Sequence, residues 1–186
     1  TEVRARVGGI LLKRLYDEGS FVKEGQPLFQ IDPEPYKIAF ARAKASAEQT
    51  AREEKRLKGL VKNQAVSQKE YDDSFSANAV AQAALREAQL NLEWTTVTAP
   101  VSGVTGRSLK SEGSLVTVGS DSLLTSVYQN NPIWVRFGLS ENEAARLPDG
   151  RPTSKSIKSV EMVLPNGKTY AQKGKINFLA STIDTT

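Results

Sequence analysis

The longest regular pattern in the chain is helical and lies between residues 33 and 94. Mostly apolar or small side chains recur there at alternating spacings of four and three residues, which places them in one seam along a helix. Two seams are present, the first formed by Tyr36, Phe40, Ala43, Ala47, Thr50, Glu54, Leu57 and Val61 and the second by Tyr71, Ser74, Asn78, Ala81, Leu85, Ala88 and Leu92. The pattern predicts two helices that pack on each other through these seams.

The segment 59–67 separates the two seams. Gly59 and Asn63 are residue types that end helices, and Ser67 with Glu70 has the spacing of a capping box that begins one. Strand-like sequence lies directly before and after the helical stretch, so the chain has to leave and return at one place. We expect an antiparallel helical hairpin with arms of about 25 residues, on the order of 38 Å long at 1.5 Å per residue.

The strand patterns on either side of the hairpin are two copies of one unit. Val7–Gly25 and Val101–Gly119 align without a gap at an offset of 94 residues, and eight of the nineteen positions are identical. The identical pairs are Val7/Val101, Gly9/Gly103, Leu15/Leu109, Glu18/Glu112, Gly19/Gly113, Ser20/Ser114, Val22/Val116 and Gly25/Gly119. Each copy alternates short apolar runs with glycine turns. The repeat predicts one β domain in two similar halves, with the hairpin inserted between them.

A third region with strand patterns begins near Gln129. Apolar residues alternate with polar ones in three runs, Ile133 to Leu139, Val160 to Leu164 and Ile176 to Ala180. Between the runs, Ser140-Glu141-Asn142-Glu143 predicts a short helix that ends by Pro148, and Pro165-Asn166-Gly167 predicts a turn. We expect a small antiparallel sheet or barrel that is incomplete at one edge.

Composition narrows the chemistry available to the chain. The 186 residues include no cysteine and no histidine, which excludes thiolate nucleophiles, disulfides and imidazole bases. A net charge of +4 with interleaved signs does not predict nucleic-acid binding. Sequence neighbours on a helix point about 100° apart, so the acid pairs Glu53-Glu54 and Asp72-Asp73 are solvated surface rather than a metal site. No apolar run approaches the roughly 20 residues that span a bilayer, and we expect the chain to be part of a longer protein.

Several motifs occur in order along the chain: Val7-Gly8-Gly9-Ile10-Leu11, the run from Glu18 to Pro33, Thr98-Ala99-Pro100-Val101-Ser102-Gly103, Glu112-Gly113 and Asn131-Pro132-Ile133-Trp134-Val135. Their order and spacing, with the inserted hairpin, resemble the periplasmic adaptor proteins, or membrane fusion proteins, of tripartite RND multidrug efflux pumps of the AcrA/MexA type. The resemblance spans nearly the whole chain.

The resemblance implies an elongated α+β multidomain protein. It would consist of a lipoyl-like β-sandwich split into 1–32 and 95–128, an α-helical hairpin over 33–94 and an incomplete β-barrel over 129–186. A true lipoyl or biotinyl carrier presents a lysine on the tight turn between its halves, and the hairpin after Asp32 replaces that turn here. We therefore expect a scaffold that has no catalytic residues, no metal and no cofactor.

At the hairpin tip, the resemblance implies a contact motif for a TolC-like outer-membrane channel. The motif is an arginine, a leucine four residues on and a serine seven residues further, which are Arg56, Leu60 and Ser67 here. A guanidinium offers a rigid fork of donors, and a leucine at a helix end can insert between neighbouring helices. Considered alone, the same residues also fit a solvated charge, a last seam position and a helix N-cap.

The function that the resemblance implies is a non-enzymatic adaptor between an inner-membrane RND transporter and a TolC-like channel. It further implies self-association into trimeric or hexameric rings in the periplasm, with an inner-membrane anchor in a segment outside this chain. Two alternatives remain at this point: an adaptor of an ABC-type exporter, which has the same domains, and a lipoyl or biotinyl carrier domain. The exported substrates, the identities of pump and channel, and the type of anchor do not follow from the sequence.

Overall fold

The computed structural model of the chain describes residues 1–119, 121–136, 138, 146 and 159–177. The chain forms two compact units, Thr1–Ile133 and Trp134–Thr186. In the first unit, eight short strands and two long helices follow one another along the described residues: β1 (Glu2–Arg4), β2 (Gly9–Arg14), β3 (Phe21–Val22), β4 (Pro27–Ile31), α1 (Glu34–Lys62), α2 (Gln68–Glu93), β5 (Thr96–Thr98), β6 (Gly103–Thr105), β7 (Leu115–Val116) and β8 (Leu123–Tyr128).

The eight strands form two four-stranded antiparallel sheets with the same topology. One sheet has the order β1-β8-β6-β3 and the other the order β5-β4-β2-β7. A shift of 94 residues maps β1 onto β5, β4 onto β8, β2 onto β6 and β3 onto β7, so it converts each sheet order into the other. The repeat predicted from sequence is therefore a repeat of structure, in which each half supplies strands to both sheets.

The sandwich core lies between the two sheets. Leu11, Leu28, Phe29, Ile31 and Leu124 are completely buried, as are other residues of the core, namely Val22, Val116 and Val127. Val22 and Val116 are equivalent positions of the repeat, and burial of each such side chain stabilises the fold by about 1.5–3 kcal/mol.

The turns of the repeat also match in backbone conformation. Gly19 has a φ of +78° and its counterpart Gly113 a φ of +84°. This left-handed region is sterically accessible to glycine at little cost, which explains why both copies keep glycine at this position.

The two helices form the predicted antiparallel hairpin. Every seam residue named from the sequence is at least partly buried, and Ala47 and Ala81 are the most buried of them. The arms have 29 and 26 residues, so each is about 40 Å long at 1.5 Å per residue. Among the described residues, neither helix is long and apolar enough to cross a membrane.

Of the two residues named as able to end α1, Asn63 is the one that does so. Gly59 does not end α1, which continues through it to Lys62 and is capped by Asn63. Glycine inside a helix costs about 1 kcal/mol relative to alanine. Leu57 and Val61, on either side of Gly59, both lie in the seam, and their packing on α2 outweighs that cost.

The hairpin stands at one end of the sandwich. Residues Ile31 and Thr95, where the chain leaves and re-enters the sheet, are joined by a hydrogen bond from the Ile31 amide to the Thr95 carbonyl at 2.8 Å. Strand β1 runs toward this end, because Arg6 just beyond it lies 5.7 Å from the Trp94 ring. Strand β8 is antiparallel to β1. It therefore ends at Tyr128 on the side of the sandwich opposite the hairpin.

In the second unit, the described residues confirm the alternation and the turn, but residues 160–164 form isolated bridges and not a continuous strand. Val160, Met162 and Leu164 are half-buried and alternate with exposed residues. Bridges join Val160 to Gly174 and Val163 to Thr169 around the predicted turn. Of the predicted helix 140–148 only Arg146 is described, and it lies in a turn; the apolar positions Phe137, Leu139, Phe178 and Ala180 lie outside the described residues.

The predicted strand from Ile133 is wrong for residues 133–136. This segment is not a strand, and Ile133 and Val135 are more than half exposed. A strand requires a hydrogen-bonded neighbour, and the described residues supply none for this segment.

Candidate functional site

The hairpin tip begins where α1 ends in a Schellman motif. The Gln64 amide donates to the Val61 carbonyl and the Ala65 amide to the Leu60 carbonyl, both at 3.0 Å. Gln64 occupies the left-handed position of the motif with a φ of +57°. These bonds satisfy carbonyls that the helix end would leave unpaired, and they reverse the chain within five residues.

Helix α2 begins with the capping box that the sequence predicts. The Ser67 hydroxyl accepts a hydrogen bond from the Glu70 amide at 3.2 Å, and the Glu70 carboxylate accepts one from the Ser67 amide at 2.9 Å. The bond from the Ser67 amide, followed by that from its hydroxyl, lowers the pKa of Glu70 below its usual value. Ser67 therefore has a structural role at the N-terminus of α2, whatever else it contacts.

Arg56 is an exposed cation on the last turns of α1. Its guanidinium forms an ion pair with Glu53 at 2.5 Å, one turn earlier, and 66% of its side chain is exposed. Sequence reasoning did not identify Glu53 as the partner, although opposite charges three residues apart on a helix signal such a pair. An exposed pair of this kind contributes at most about 1 kcal/mol, so a partner protein can displace Glu53 at little cost.

Leu60 lies four residues after Arg56, on the same side of α1. Its side chain is 37% exposed although the next residue, Val61, is in the seam. The structure thus brings Arg56 and Leu60 together on one flank of α1, and the Schellman turn places Ser67 at the adjacent start of α2. The tip offers an apolar side chain beside a guanidinium.

The tip is also the basic part of the hairpin. Between residues 55 and 69 there are five basic residues and no acidic ones: Lys55, Arg56, Lys58, Lys62 and Lys69. The rest of α1 and α2 carries more acidic than basic residues. Positive charge is therefore concentrated in the segment 55–69, and Glu70, Asp72 and Asp73 follow it directly in the first turns of α2.

Elsewhere, the described residues offer little in the way of a ligand site. No group of three or more acidic side chains that could hold a metal ion occurs among them. Two shallow grooves of about 440 and 470 Å³ lie near the base of the hairpin, and three of the seven residues that line each of them are alanines. At the junction of β4 and β5, where a carrier domain would have its lysine turn, the chain enters α1 instead.

The base of the hairpin has two anchors that sequence reasoning missed. The Tyr36 hydroxyl donates to the Gly8 carbonyl at 2.6 Å, and Arg6 lies over the Trp94 ring. The sequence signal that could have shown them is an aromatic residue at the sandwich end of each helix, Tyr36 in α1 and Trp94 after α2. Both partners come from the short segment between β1 and β2, so this segment fixes the two roots of the hairpin.

Comparison with known proteins places these features in a family. Residues 1–127 match the barrel-sandwich hybrid domain of the RND MFPs, and residues 132–186 match the RND MFP β-barrel domain, MFP denoting membrane fusion protein. Over 191 residues the chain is 41% identical to the antibiotic efflux pump periplasmic linker protein ArpA of Pseudomonas putida, covering 100% of this chain and 52% of that protein.

Two further relatives agree with this assignment. The multidrug resistance protein MexA of Pseudomonas aeruginosa is 37% identical, with 98% of this chain and 49% of that protein covered. A solved MacA-MexA chimeric protein containing the Pseudomonas aeruginosa MexA α-hairpin domain is 33% identical, with a TM-score of 0.64 over 68% of this chain and 46% of that chain. The chain spans about half the length of the curated relatives it matches.

These matches confirm the resemblance and the predicted fold class, whereas the proposed domain boundaries stay a prediction. The sandwich of two similar halves, the inserted hairpin and the following β region occur here in the order of the matched domains. The chain belongs to the RND membrane fusion protein family.

Proposed function

We propose that the protein is the periplasmic adaptor of a tripartite multidrug efflux pump, bridging an inner-membrane RND transporter and a TolC-like outer-membrane channel. Family membership supports this function, as do relatives named as efflux pump periplasmic linkers. The single observation that carries it is the hairpin, whose roots are anchored at one end of the sandwich and whose opposite end is an exposed basic tip.

In this proposal the tip docks onto the channel through Arg56, Leu60 and Ser67. Leu60 enters a groove between channel helices, and Arg56 exchanges Glu53 for carboxylates or carbonyls of the channel. Ser67 holds the start of α2 in place through its capping box and presents its remaining surface to the same partner.

The adaptor itself catalyses no reaction. Energy for transport comes from the pump, and the adaptor links conformational changes of the pump to opening of the channel. Several copies associate into a ring in the periplasm, and a segment outside this chain attaches them to the inner membrane.

Leu60→Asp and Arg56→Glu test the docking role. Each change is expected to abolish drug resistance in cells and capture of the purified channel, because a buried carboxylate or a repelled anion then faces the channel. The helical signal and melting temperature of the purified protein should change little, since both side chains point away from the seam.

Matched controls lie on the same helix. Ile38→Asp places the same carboxylate at an exposed apolar position near the base, and Arg52→Glu reverses an exposed arginine one turn below Arg56. Both controls should retain resistance and channel capture. Unchanged resistance in Leu60→Asp and Arg56→Glu would contradict docking through the tip.

A further inference from the structure

The seam of the hairpin holds polar side chains between its two packed arms. Thr50, Glu54 and Asn78 occupy seam positions, and each of them is partly buried. Directly on the base side of these residues, the seam is formed by Ala47 and Ala81, which are 1% and 8% exposed. A polar group between packed helices lowers stability unless it has a hydrogen-bond partner, so the contacts of these three residues determine their role.

Asn78 of α2 contacts both polar residues of α1. Its side-chain nitrogen donates to the Glu54 carboxylate at 2.5 Å, and its side-chain oxygen lies 3.3 Å from the Thr50 hydroxyl. Because a carboxylate only accepts and a hydroxyl can donate, these two neighbours fix the orientation of the amide. The Thr50 hydroxyl also lies 3.1 Å from the Ser46 and Ala47 carbonyls of its own helix, so the charge-assisted bond to Glu54 is the stronger contact between the arms.

Asn78 makes the only side-chain hydrogen bonds that connect the two arms. Within Glu34–Lys62 and Gln68–Glu93, which the structure describes completely, no other side-chain hydrogen bond and no ion pair joins α1 to α2. Ser74, which is level with Glu54 on the antiparallel arms, donates instead to the Tyr71 carbonyl of its own helix at 2.8 Å. One residue thus carries every directional side-chain contact along an interface of about 40 Å.

The rest of the seam packs the arms together without fixing how they sit. The hydrophobic effect is non-directional, and alanine side chains bury little area. In helical seams a single polar residue specifies register and orientation, at a cost in stability, because a misplaced arm leaves it without a partner. If α1 moved one seam position toward the tip, Asn78 would face Ala47 and Glu54 would face Tyr71. The hydrogen bond between Asn78 and Glu54 would then be lost.

The Asn78 contact lies close enough to the tip to control its geometry. Glu54 precedes Arg56 by two residues on α1, and Asn78 follows Ser67 by eleven residues, about three turns, on α2. A displacement of one arm by one turn would move Arg56 and Leu60 by about 5.4 Å relative to Ser67. This displacement is longer than a hydrogen bond, so a partner surface that fits one arrangement of the tip cannot bind the displaced one.

We propose that Asn78 is a positioning residue for docking of the tip. Through its hydrogen bond to Glu54 it sets the level and rotation of α1 against α2, and so holds Arg56 and Leu60 where the channel can bind them. Asn78 itself does not contact the channel. The proposal rests on the proposed function, because docking requires one defined arrangement of the tip. It differs from a purely stabilising role, since leucine at position 78 is expected to give a seam that is at least as stable but less precise.

Spin labels measure the arrangement of the arms, since the chain has no cysteine of its own. In the full-length protein, Lys58→Cys with Asp72→Cys reports the tip, and Lys44→Cys with Ala83→Cys reports the base; all four positions are exposed. Asn78→Leu is expected to broaden the distance distribution at the tip at least about twofold and to leave the distribution at the base unchanged. The melting temperature should not fall. A lower melting temperature with an unchanged tip distribution would mean that Asn78 only stabilises the hairpin, and would overturn the proposal.

An exchange of donor and acceptor tests the named pair. Asn78→Asp places a second carboxylate beside Glu54, and the repulsion should broaden the tip distribution as Asn78→Leu does. Adding Glu54→Gln supplies an amide donor opposite the new carboxylate, so the double variant should return to the distribution of the unsubstituted protein. Gln82→Leu, which replaces an exposed amide of α2, is the matched control and should have no effect. Failure of the double variant to recover would overturn the hydrogen bond as the positioning contact.

Capture of the purified TolC-like channel connects the arrangement of the arms to docking. Asn78→Leu is expected to lower capture at least about fivefold, and the exchanged pair should restore it to within about twofold. Loss of capture with an unchanged tip distribution would assign Asn78 to the channel contact itself and overturn the proposal.

Leu60→Asp separates this proposal from the proposed function. This variant should lose capture while its tip distribution stays that of the unsubstituted protein. If Leu60→Asp retains capture, docking through the tip has failed, whereas the effect of Asn78→Leu on the arms still stands. If Leu60→Asp loses capture and Asn78→Leu retains it despite a broadened tip, the positioning role of Asn78 is overturned.

Discussion

Gln64 has the least favourable backbone conformation of the hairpin tip. A residue with a side chain costs about 1 kcal/mol or more in the left-handed region, and the Schellman motif most often has glycine there. Gln64→Gly is therefore expected to stabilise the hairpin by about 1 kcal/mol, measured by thermal unfolding followed through the helical circular dichroism signal.

Gln49→Gly is the matched control for this substitution. Gln49 is an exposed residue within α1, where glycine costs about 1 kcal/mol relative to a good helix former. The same chemical change should thus stabilise at position 64 and destabilise at position 49. A lower melting temperature for both variants would contradict the strain attributed to Gln64.

Glu70 makes the tip sensitive to acid. Its hydrogen bonds from Ser67 lower its pKa in the folded state below the ordinary value of 4.5. This contribution to stability is fully present above pH 4.5 and is lost as the pH falls through the lowered pKa. We expect the melting temperature of Glu70→Gln to fall less between pH 5 and pH 3 than that of the unsubstituted protein.

The Ser67→Ala background tests whether the capping box causes this pH dependence. Without the serine hydroxyl, the capping box is incomplete, and Glu70→Gln should have a smaller effect on the pH dependence in that background. If Glu70→Gln flattens the pH profile equally with and without Ser67, the capping box is not the cause.

At the scale of elements, the hairpin depends on small residues in its seam. Ala47 is 1% exposed and packs between the arms, so no space remains for a larger side chain. Ala47→Leu is expected to destabilise the hairpin by about 1–3 kcal/mol through overpacking. Thermal and urea unfolding measure the change.

Ala45→Leu is the control, since Ala45 lies two residues away on the exposed side of α1. A surface substitution of this kind should change the free energy of unfolding by less than about 0.5 kcal/mol. Equal destabilisation by both leucines would show that the seam tolerates larger residues and that its spacing is not set by alanine.

The elements differ in how far the sequence predicted them. The seams and the capping box at Ser67 follow from local spacing, which a single helix already determines, and they were predicted correctly. The end of α1 was predicted only as one of two residues, and packing on both sides of Gly59 decided in favour of Asn63. The ion pair between Arg56 and Glu53 is also a local contact, which the sequence could have predicted. The role of Arg56 in docking stays a prediction.

On the scale of the whole molecule, the orientation of the hairpin depends on contacts that no local pattern shows. Gly8 and Tyr36 are 28 residues apart, and Arg6 and Trp94 come from opposite sides of the hairpin insertion. Such contacts follow only from the sandwich topology, which brings the segment between β1 and β2 against both helix roots. Sequence spacing could not have predicted them.

Tyr36→Phe is expected to loosen this attachment while both helices stay intact. The change removes one hydrogen bond worth about 0.5–1.5 kcal/mol and leaves the ring in the seam. Spin labels on cysteines placed at Lys23 in the sandwich and Arg52 in α1 should then show a broader distance distribution. Tyr71→Phe, the same change near the tip, should leave the distribution as it is; equal broadening would contradict an anchoring role for Tyr36.

The hydrogen bond between Ile31 and Thr95 has a consequence for how this architecture can evolve. The two residues at which the hairpin is inserted are already neighbours in a sheet, so the sandwich closes on itself whatever the length of the excursion. Adding or deleting seven residues in each arm preserves the seam and leaves the sheets untouched. The length of the hairpin can thus change in discrete steps to suit cell envelopes of different depth. The sandwich that carries the hairpin keeps its fold.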